Sequence, residues 1–227
     1  MRMRKLFILG WDNGLIEDVV ETKLHPSYMT MLSKIDPVLA AKWTIENTRL
    51  MQGLHPDKIW QDFTLLWGKE KAEQARKIFY ETYADTPQPQ LVENAFELIK
   101  KAYDKGCCVI AVSNKTQDIL NREMKELGVS ELFSDFIGTD KGAGRRLKET
   151  EGEEAKFEAR CRQITMALQT APNVIDVVVV AHAGYAKPAY AVGVPRFEEA
   201  SPQVFDWLID ELEKSTHHHN DWDEDFL

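Results

Sequence analysis

Three short polar segments, each placed directly after an apolar stretch, carry the residues of this sequence that could do chemistry. Their polar side chains are Asp12, Ser113 with Asn114, and His182. A carboxylate and an imidazole can exchange protons with a substrate near neutral pH. A hydroxyl and an amide at the start of a helix can hold an anion. The three segments together therefore predict a site for acid–base chemistry or for anion binding.

The apolar stretches before these segments have the composition of buried β-strands. Residues 5–9, 108–112 and 174–181 are nearly continuous apolar runs, as expected for parallel strands that are covered on both faces. Segments with helical spacing alternate with these strands, and two shorter strands are expected near residues 136–138 and 193–195. This alternation predicts an α/β fold with a doubly wound parallel sheet, in which the polar segments meet at one edge.

Four helices are expected between or after the predicted strands of this α/β domain. Their spacing and their glycine and proline boundaries place them at residues 91–104, 116–127, 155–169 and 202–213. Right-handed crossovers would then lay these helices on the two faces of the sheet.

A different pattern fills residues 18–86, where every segment has helical spacing and no strand is predicted. We expect an all-helical cap here, inserted into an α/β core formed by residues 1–17 and 87–214. Residues 215–227 are polar and acidic, and are predicted to be a disordered tail. The aromatic residues of the cap are expected to form its own core or, alternatively, an interface: Trp43, Trp60, Phe63, Trp67, Phe79, Tyr80 and Tyr83.

Charge and composition exclude several classes of protein. The formal net charge of −9 argues against duplex nucleic acid as a partner, because such binding depends on cations that neutralise phosphates. No apolar run reaches the length of a membrane span. The basic start before residue 5 lacks the h-region of a signal peptide, which favours a cytoplasmic protein. Cys107, Cys108 and Cys161 fit neither a disulfide framework nor a zinc pattern.

The polar segments also resemble the motifs of the haloacid dehalogenase-like (HAD) hydrolase superfamily, in particular its phosphoglycolate-phosphatase-type members with an inserted helical cap. The first family motif, Asp-x-Asp-Gly-Thr-Leu after a strand, falls on residues 10–15, which read Gly-Trp-Asp-Asn-Gly-Leu. The resemblance places the nucleophilic aspartate of the family at Gly10 and its acid/base aspartate at Asp12. The second motif falls on Ser113 and Asn114, which would bind phosphate.

The third and fourth motifs of the family are matched less completely. The third requires a lysine, and Lys156 suits by its spacing, with Lys148 as an alternative and Lys141 more remote. The fourth carries two metal-binding acids, and these positions hold His182 and Ala186. The family uses Mg²⁺, a hard cation that prefers carboxylate oxygens. Because the nucleophile and both of these acids are missing, no metal site and no cofactor are expected.

The leading interpretation is a HAD-like protein that has lost Mg²⁺-dependent phosphatase activity and binds a small anionic or phosphorylated ligand, or a protein. One alternative is an active hydrolase with an altered site that uses Asp12 and His182 as an acid/base pair. Another is a scaffold that docks partners through the cap or the acidic tail.

Each candidate residue also has a purely structural interpretation, which the sequence leaves open. Asp12 could hydrogen-bond its own turn, and Ser113 and Asn114 could cap the helix that follows them. His182 could be an ordinary histidine at the sheet edge, and Lys156 a solvated helix residue.

Overall fold

The protein is described here by a computed structural model, which places residues 5–52, 56–87, 89–115, 117–138 and 153–214. Lys148 and the acidic tail at residues 215–227, both singled out above, lie outside these described residues. The described residues form two compact units, one at residues 18–89 and the other made of the remaining described residues.

Within the described residues, one sheet of five parallel strands forms the centre of the larger unit. The strands are β1 (Lys5–Gly10), β2 (Cys108–Val112), β3 (Asp135–Ile137), β4 (Asp176–Ala181) and β5 (Arg196–Glu199). Their spatial order is β3-β2-β1-β4-β5, so that β1 lies between β2 and β4. The predicted α/β fold with a parallel sheet is confirmed, and the three polar segments follow three adjacent strands.

The helices of the described residues are α1 (His25–Ile35), α2 (Pro37–Ala40), α3 (Ile45–Gln52), α4 (Pro56–Trp67), α5 (Lys69–Asp85), α6 (Ala95–Asp104), α7 (Gln117–Glu126), α8 (Glu153–Thr170), α9 (Ala186–Ala191) and α10 (Pro202–Lys214). Helices α1 to α5 belong to the smaller unit and the others to the larger one. None of these helices combines the length and apolar character that a membrane span needs.

The smaller unit has an aromatic core of its own, as predicted for the cap. Tyr28 and Phe79 lie with ring centroids 4.6 Å apart, and Phe63 stacks on Trp67 at the same distance. Phe63 and Phe79 are buried, whereas Tyr80 remains 43% exposed. The prediction of an internal aromatic cluster is therefore confirmed, and Tyr80 packs against Trp60 and Phe79 at the exposed edge of that cluster.

Two predicted element boundaries are wrong by more than two residues. The last strand begins at Arg196, because Gly193 adopts a φ of +85° in the turn that ends α9, and Val194 donates a hydrogen bond back to that helix. The helix expected from residue 91 begins at Ala95, because Leu91 instead forms an antiparallel bridge with Ile16.

Helix α10 is attached to the sheet through a charged cluster centred on Glu211. Arg196 of β5 donates two hydrogen bonds to this carboxylate, at 3.1 and 2.7 Å, and Lys5 of β1 donates another. The hydrogen bonds from Arg196, and then those from Lys5, lower the pKa of Glu211 from 4.5 to about 2, against the opposing effect of burial. The charged form of Glu211 therefore stabilises the fold.

We expect the free energy of unfolding to decline as the pH falls from 4.5 towards 2, because the Glu211 carboxylate is then progressively protonated. Above pH 4.5 its contribution is fully present. Glu211→Gln should remove roughly 1–2 kcal/mol at neutral pH, allowing for solvent screening of a partly exposed group, and should flatten the acid dependence. Urea titrations between pH 2 and 7 measure both effects. Asp210→Asn, an exposed change on the same helix, is the control, and an equal flattening in it would contradict the prediction.

Candidate functional site

Strand β1 ends in a wide turn at Trp11–Leu15, which carries the first candidate residue, Asp12. The turn is closed by a hydrogen bond from the Ile16 amide to the Trp11 carbonyl at 3.1 Å. Asn13 adopts a left-handed backbone conformation with a φ of +52°, which Asn tolerates better than most residues do. Trp11 is fully buried and anchors the turn.

Gly10, at the end of β1, packs directly against Ala181 at the end of β4. A Cβ atom built on Gly10 would lie 2.5 Å from the Ala181 Cβ and 3.0 Å from its Cα. Separations of this size are far below the van der Waals contact distance of carbon atoms. The position at which the resemblance places a nucleophile therefore has no side chain, and the neighbouring strand fills the space for one.

Both carboxylate oxygens of Asp12 contact side chains from the segment after β2. Ser113 Oγ donates a hydrogen bond to Oδ2 at 2.6 Å, and Lys115 Nζ lies 2.8 Å from Oδ1. Ser113 also accepts a hydrogen bond from the Lys115 amide at 3.0 Å. The side chains of Asp12 and Lys115 are only 19% and 16% exposed, so that this ion pair is largely withdrawn from water.

A second carboxylate, that of Glu123 on α7, completes the cluster around Lys115. Its Oε2 atom lies 2.6 Å from Lys115 Nζ and accepts a hydrogen bond from Trp11 Nε1 at 2.9 Å. Burial alone would lower the pKa of Lys115, but the charges of Asp12 and Glu123 and their hydrogen bonds outweigh it and raise that pKa. Lys115 is therefore a permanent cation held between two carboxylates.

His182 follows β4, on the other side of β1. Its Nδ1 atom accepts a hydrogen bond from the Gly184 amide at 3.1 Å, and its ring meets that of Tyr185 edge to face. Burial and the charge of Arg160 lower the pKa of His182, and the charge of Asp12 only partly opposes them. The imidazole is therefore neutral at physiological pH, with the Nε2 atom carrying its proton.

Buried hydrogen bonds connect the end of β2 to the segment after β4. Gln163 of α8 donates from Nε2 to the Ser113 carbonyl at 2.5 Å and accepts from the Tyr185 hydroxyl at 3.0 Å. Gln163 is fully buried and Tyr185 nearly so. This link fixes Ser113 relative to the 182–185 segment.

Asp12 and Ser113, both predicted from the sequence, are in direct contact, whereas the other predicted residues lie elsewhere. Asn114 is exposed, and Lys156 lies in the first turns of α8, half-buried. Lys115 and Glu123 were missed, although Lys115 directly follows the Ser-Asn pair. The position of Lys115 directly after this pair was the available signal, because a lysine at a polar strand end can supply the cation for a nearby carboxylate.

The residues of this cluster do not fit Mg²⁺, the ion used by the family that the sequence resembles. Mg²⁺ needs several oxygen ligands in near-octahedral geometry. Here the ammonium of Lys115 lies against Asp12 Oδ1, the position of Gly10 is filled, and His182 offers nitrogen. Among the described residues, no three His, Cys, Asp or Glu side chains converge on a common metal position.

Comparison with solved structures defines the class of fold. No protein-family model and no curated protein sequence matches the chain. A candidate β-phosphoglucomutase from Thermotoga maritima superposes with a TM-score of 0.64 at 10% identity, over 93% of this chain and 99% of that one. A HAD-superfamily hydrolase of subfamily IA from Geobacter sulfurreducens gives a TM-score of 0.60 at 13% identity, over 91% and 97% of the two chains.

A third structure, a haloacid dehalogenase-like hydrolase from Xanthomonas campestris, gives a TM-score of 0.56 at 12% identity, over 94% of this chain and 95% of that one. Each of the three likenesses covers nearly the whole length of this chain and of the compared chain. The protein therefore has the HAD-like fold, an α/β core with a helical cap, as the motifs had suggested.

Proposed function

We propose that this protein is a HAD-like binding protein that has lost Mg²⁺-dependent phosphoryl transfer and recognises a small anionic ligand. The observation that carries the proposal is the Lys115 ammonium, held at 2.8 Å from Asp12 and 2.6 Å from Glu123. A permanent cation takes up both carboxylates that the cluster offers. These carboxylates are then not available to a divalent metal.

The missing nucleophile supports the same conclusion. Phosphoryl transfer through a covalent intermediate requires a carboxylate that attacks phosphorus. Gly10 supplies none, and a side chain there would collide with Ala181. Asp12 itself is held by Ser113 and Lys115, and both contacts stabilise its carboxylate as a bound anion instead of exposing it for attack.

The alternative of an altered hydrolase with Asp12 and His182 as an acid/base pair has weaker support. Because Nδ1 of His182 accepts the Gly184 amide hydrogen, the neutral ring carries its proton on Nε2. A ring in this tautomer has no free lone pair with which to act as a general base. For the scaffold alternative, with partners docked on the cap or tail, no contact among the described residues speaks in its favour, and the tail lies outside them.

We also propose a cytoplasmic location. Its support is that Cys107, Cys108 and Cys161 are all free thiols, and that burial raises the pKa of each of them. Unreactive free thiols are typical of proteins in a reducing compartment.

Purified protein with Mg²⁺ should show no turnover of phosphoglycolate, sugar phosphates or nucleotides above the background of a matched Asp12→Asn preparation. The physical reason is that Gly10 supplies no nucleophile and that Lys115 already occupies the carboxylates of Asp12 and Glu123. Release of inorganic phosphate is the measurement. Metal-dependent turnover that the wild-type protein shows and the Asp12→Asn variant lacks would contradict the proposal.

A further inference from the structure

A recess of about 510 Å³ lies in the larger unit, beside the turn that follows β4. It is lined by Phe157, Arg160, Ala183, Gly184, Lys187 and Pro188. These residues come from α8, from the short turn Ala183–Tyr185 and from α9. None of them belongs to the Asp12–Lys115–Glu123 cluster, and the volume is in the range of small-molecule sites.

Among the described residues that line this recess, the charged ones are both cations. Arg160 and Lys187 form no ion pair with a carboxylate among the described residues, although the chain as a whole carries a net charge of −9. In the Lys115 cluster, by contrast, two carboxylates compensate one cation. The recess is therefore a local concentration of positive charge in an acidic protein, and such a concentration attracts anions.

The guanidinium of Arg160 is held in place but keeps part of its hydrogen-bonding capacity. Nη1 donates to the Gly184 carbonyl at 2.9 Å, and the group lies 5.1 Å from the centre of the Tyr185 ring. Its Nε atom is buried and has no hydrogen-bond partner within the described part of the chain. A buried donor without a partner is costly, so the protein itself does not satisfy every donor of this guanidinium.

Gly184 allows this close approach of the guanidinium to the turn. A Cβ atom at residue 184 would lie 2.6 Å from Arg160 Nη1 and 2.6 Å from the Cε1 atom of His182. Any other residue would push the guanidinium away from the backbone carbonyl. The turn and α8 are thus packed so that Arg160 is fixed at the edge of the recess.

We propose that this recess binds the phosphate group of a small organic phosphate monoester, with Arg160 and Lys187 as the phosphate ligands and Phe157 against the organic part. The inference rests on the proposed function and gives that function a location and a ligand class. A phosphate monoester carries a charge of about −1.5 to −2 at neutral pH. Two cations therefore match a phosphate monoester better than they match a carboxylate, which carries a single negative charge.

The chemistry of these side chains suits this ligand class. A guanidinium presents parallel donors that match two phosphate oxygens, and a lysine adds a flexible point charge. Phe157 is 37% exposed and offers an apolar surface beside the two cations. An aromatic ligand body would gain contact area on that ring.

Isothermal titration calorimetry with phenyl phosphate, inorganic phosphate and benzoate tests the proposal on the full chain. We expect phenyl phosphate to bind most tightly, with inorganic phosphate weaker because it lacks the ring. Lys187→Gln, an exposed change, should weaken phenyl phosphate binding about tenfold, as loss of one charge-assisted contact implies. Arg160→Gln should weaken it at least as much.

Lys125→Gln removes an exposed lysine from α7 and changes the net charge equally, so that it serves as the control. Equal weakening by Lys125→Gln and Lys187→Gln would show a general charge effect and overturn the proposal. Benzoate binding as tight as phenyl phosphate would overturn the assignment to phosphate. Undetectable binding of phenyl phosphate at millimolar concentration would overturn the site itself.

The binding experiment and the activity assay test different claims. Mg²⁺-dependent turnover in the wild-type protein would contradict the loss of catalysis, but Lys187→Gln would still report on the recess. Phosphate binding that is lost on Lys156→Gln and unchanged by Lys187→Gln would overturn the recess and leave the proposed binding function in place.

Discussion

Replacing Lys115 with methionine is expected to lower the free energy of unfolding by about 3–5 kcal/mol, because it leaves two buried carboxylates without their cation. The Asp12 and Glu123 side chains are only 19% and 7% exposed, so that water cannot take the place of the ammonium. Methionine keeps the length of the side chain, and the loss therefore reports on charge and not on volume. Urea denaturation followed by circular dichroism measures the change.

Lys69→Met is the matched control, because Lys69 is 84% exposed and lies 4.0 Å from Glu73 on α5. We expect it to change the free energy of unfolding by less than about 0.5 kcal/mol. Adding Glu123→Gln to Lys115→Met should recover part of the loss, since one of the two stranded charges is then removed. A Lys115→Met variant as stable as the control would show that the cluster is not buried in solution.

Gly10→Ala is expected to destabilise the fold by about 1–3 kcal/mol, the usual cost of overpacking a close-packed interior. Its new Cβ would meet the Ala181 Cβ at 2.5 Å, between two strands that cannot separate without breaking their pairing. The same denaturation measurement applies.

Gly14→Ala makes a sharp control on the same turn, because its Cβ would lie at an ordinary 3.8 Å from both Ala181 and Ala200. We expect a much smaller change than for Gly10→Ala. Adding Ala181→Gly to Gly10→Ala should restore most of the lost stability, since it removes the atom involved in the shortest contact. If Gly10→Ala and Gly14→Ala have the same free energy of unfolding, a steric clash at residue 10 is ruled out.

The main strands and the inserted helical segment could be predicted from the sequence because they depend on patterns within short segments. Continuous apolar runs gave β1, β2 and β4, and the change to helical spacing after residue 17 gave the inserted unit. The start of the last strand could not be found in this way, since Gly193 and Val194 continue an apolar pattern while their backbone forms a turn.

The cluster of Asp12, Lys115 and Glu123 could not be predicted from the sequence, and here the reason is different. Glu123 stands in a polar helix, where a glutamate is normally solvated, and only the packing of α7 against the first turn buries it beside Trp11. Lys115 follows the Ser-Asn pair, and its pairing with Asp12 depends on the parallel alignment of β1 with β2. Such contacts between distant segments leave no local pattern.

The packing of Gly10 against Ala181 determines what it would cost to place a side chain at residue 10. The resemblance places an acid at residue 10, whereas this chain has a glycine there, packed against Ala181. A mutation that returned an aspartate to residue 10 alone would meet a steric penalty before it could bring any benefit. A side chain at residue 10 therefore requires a compensating change at residue 181.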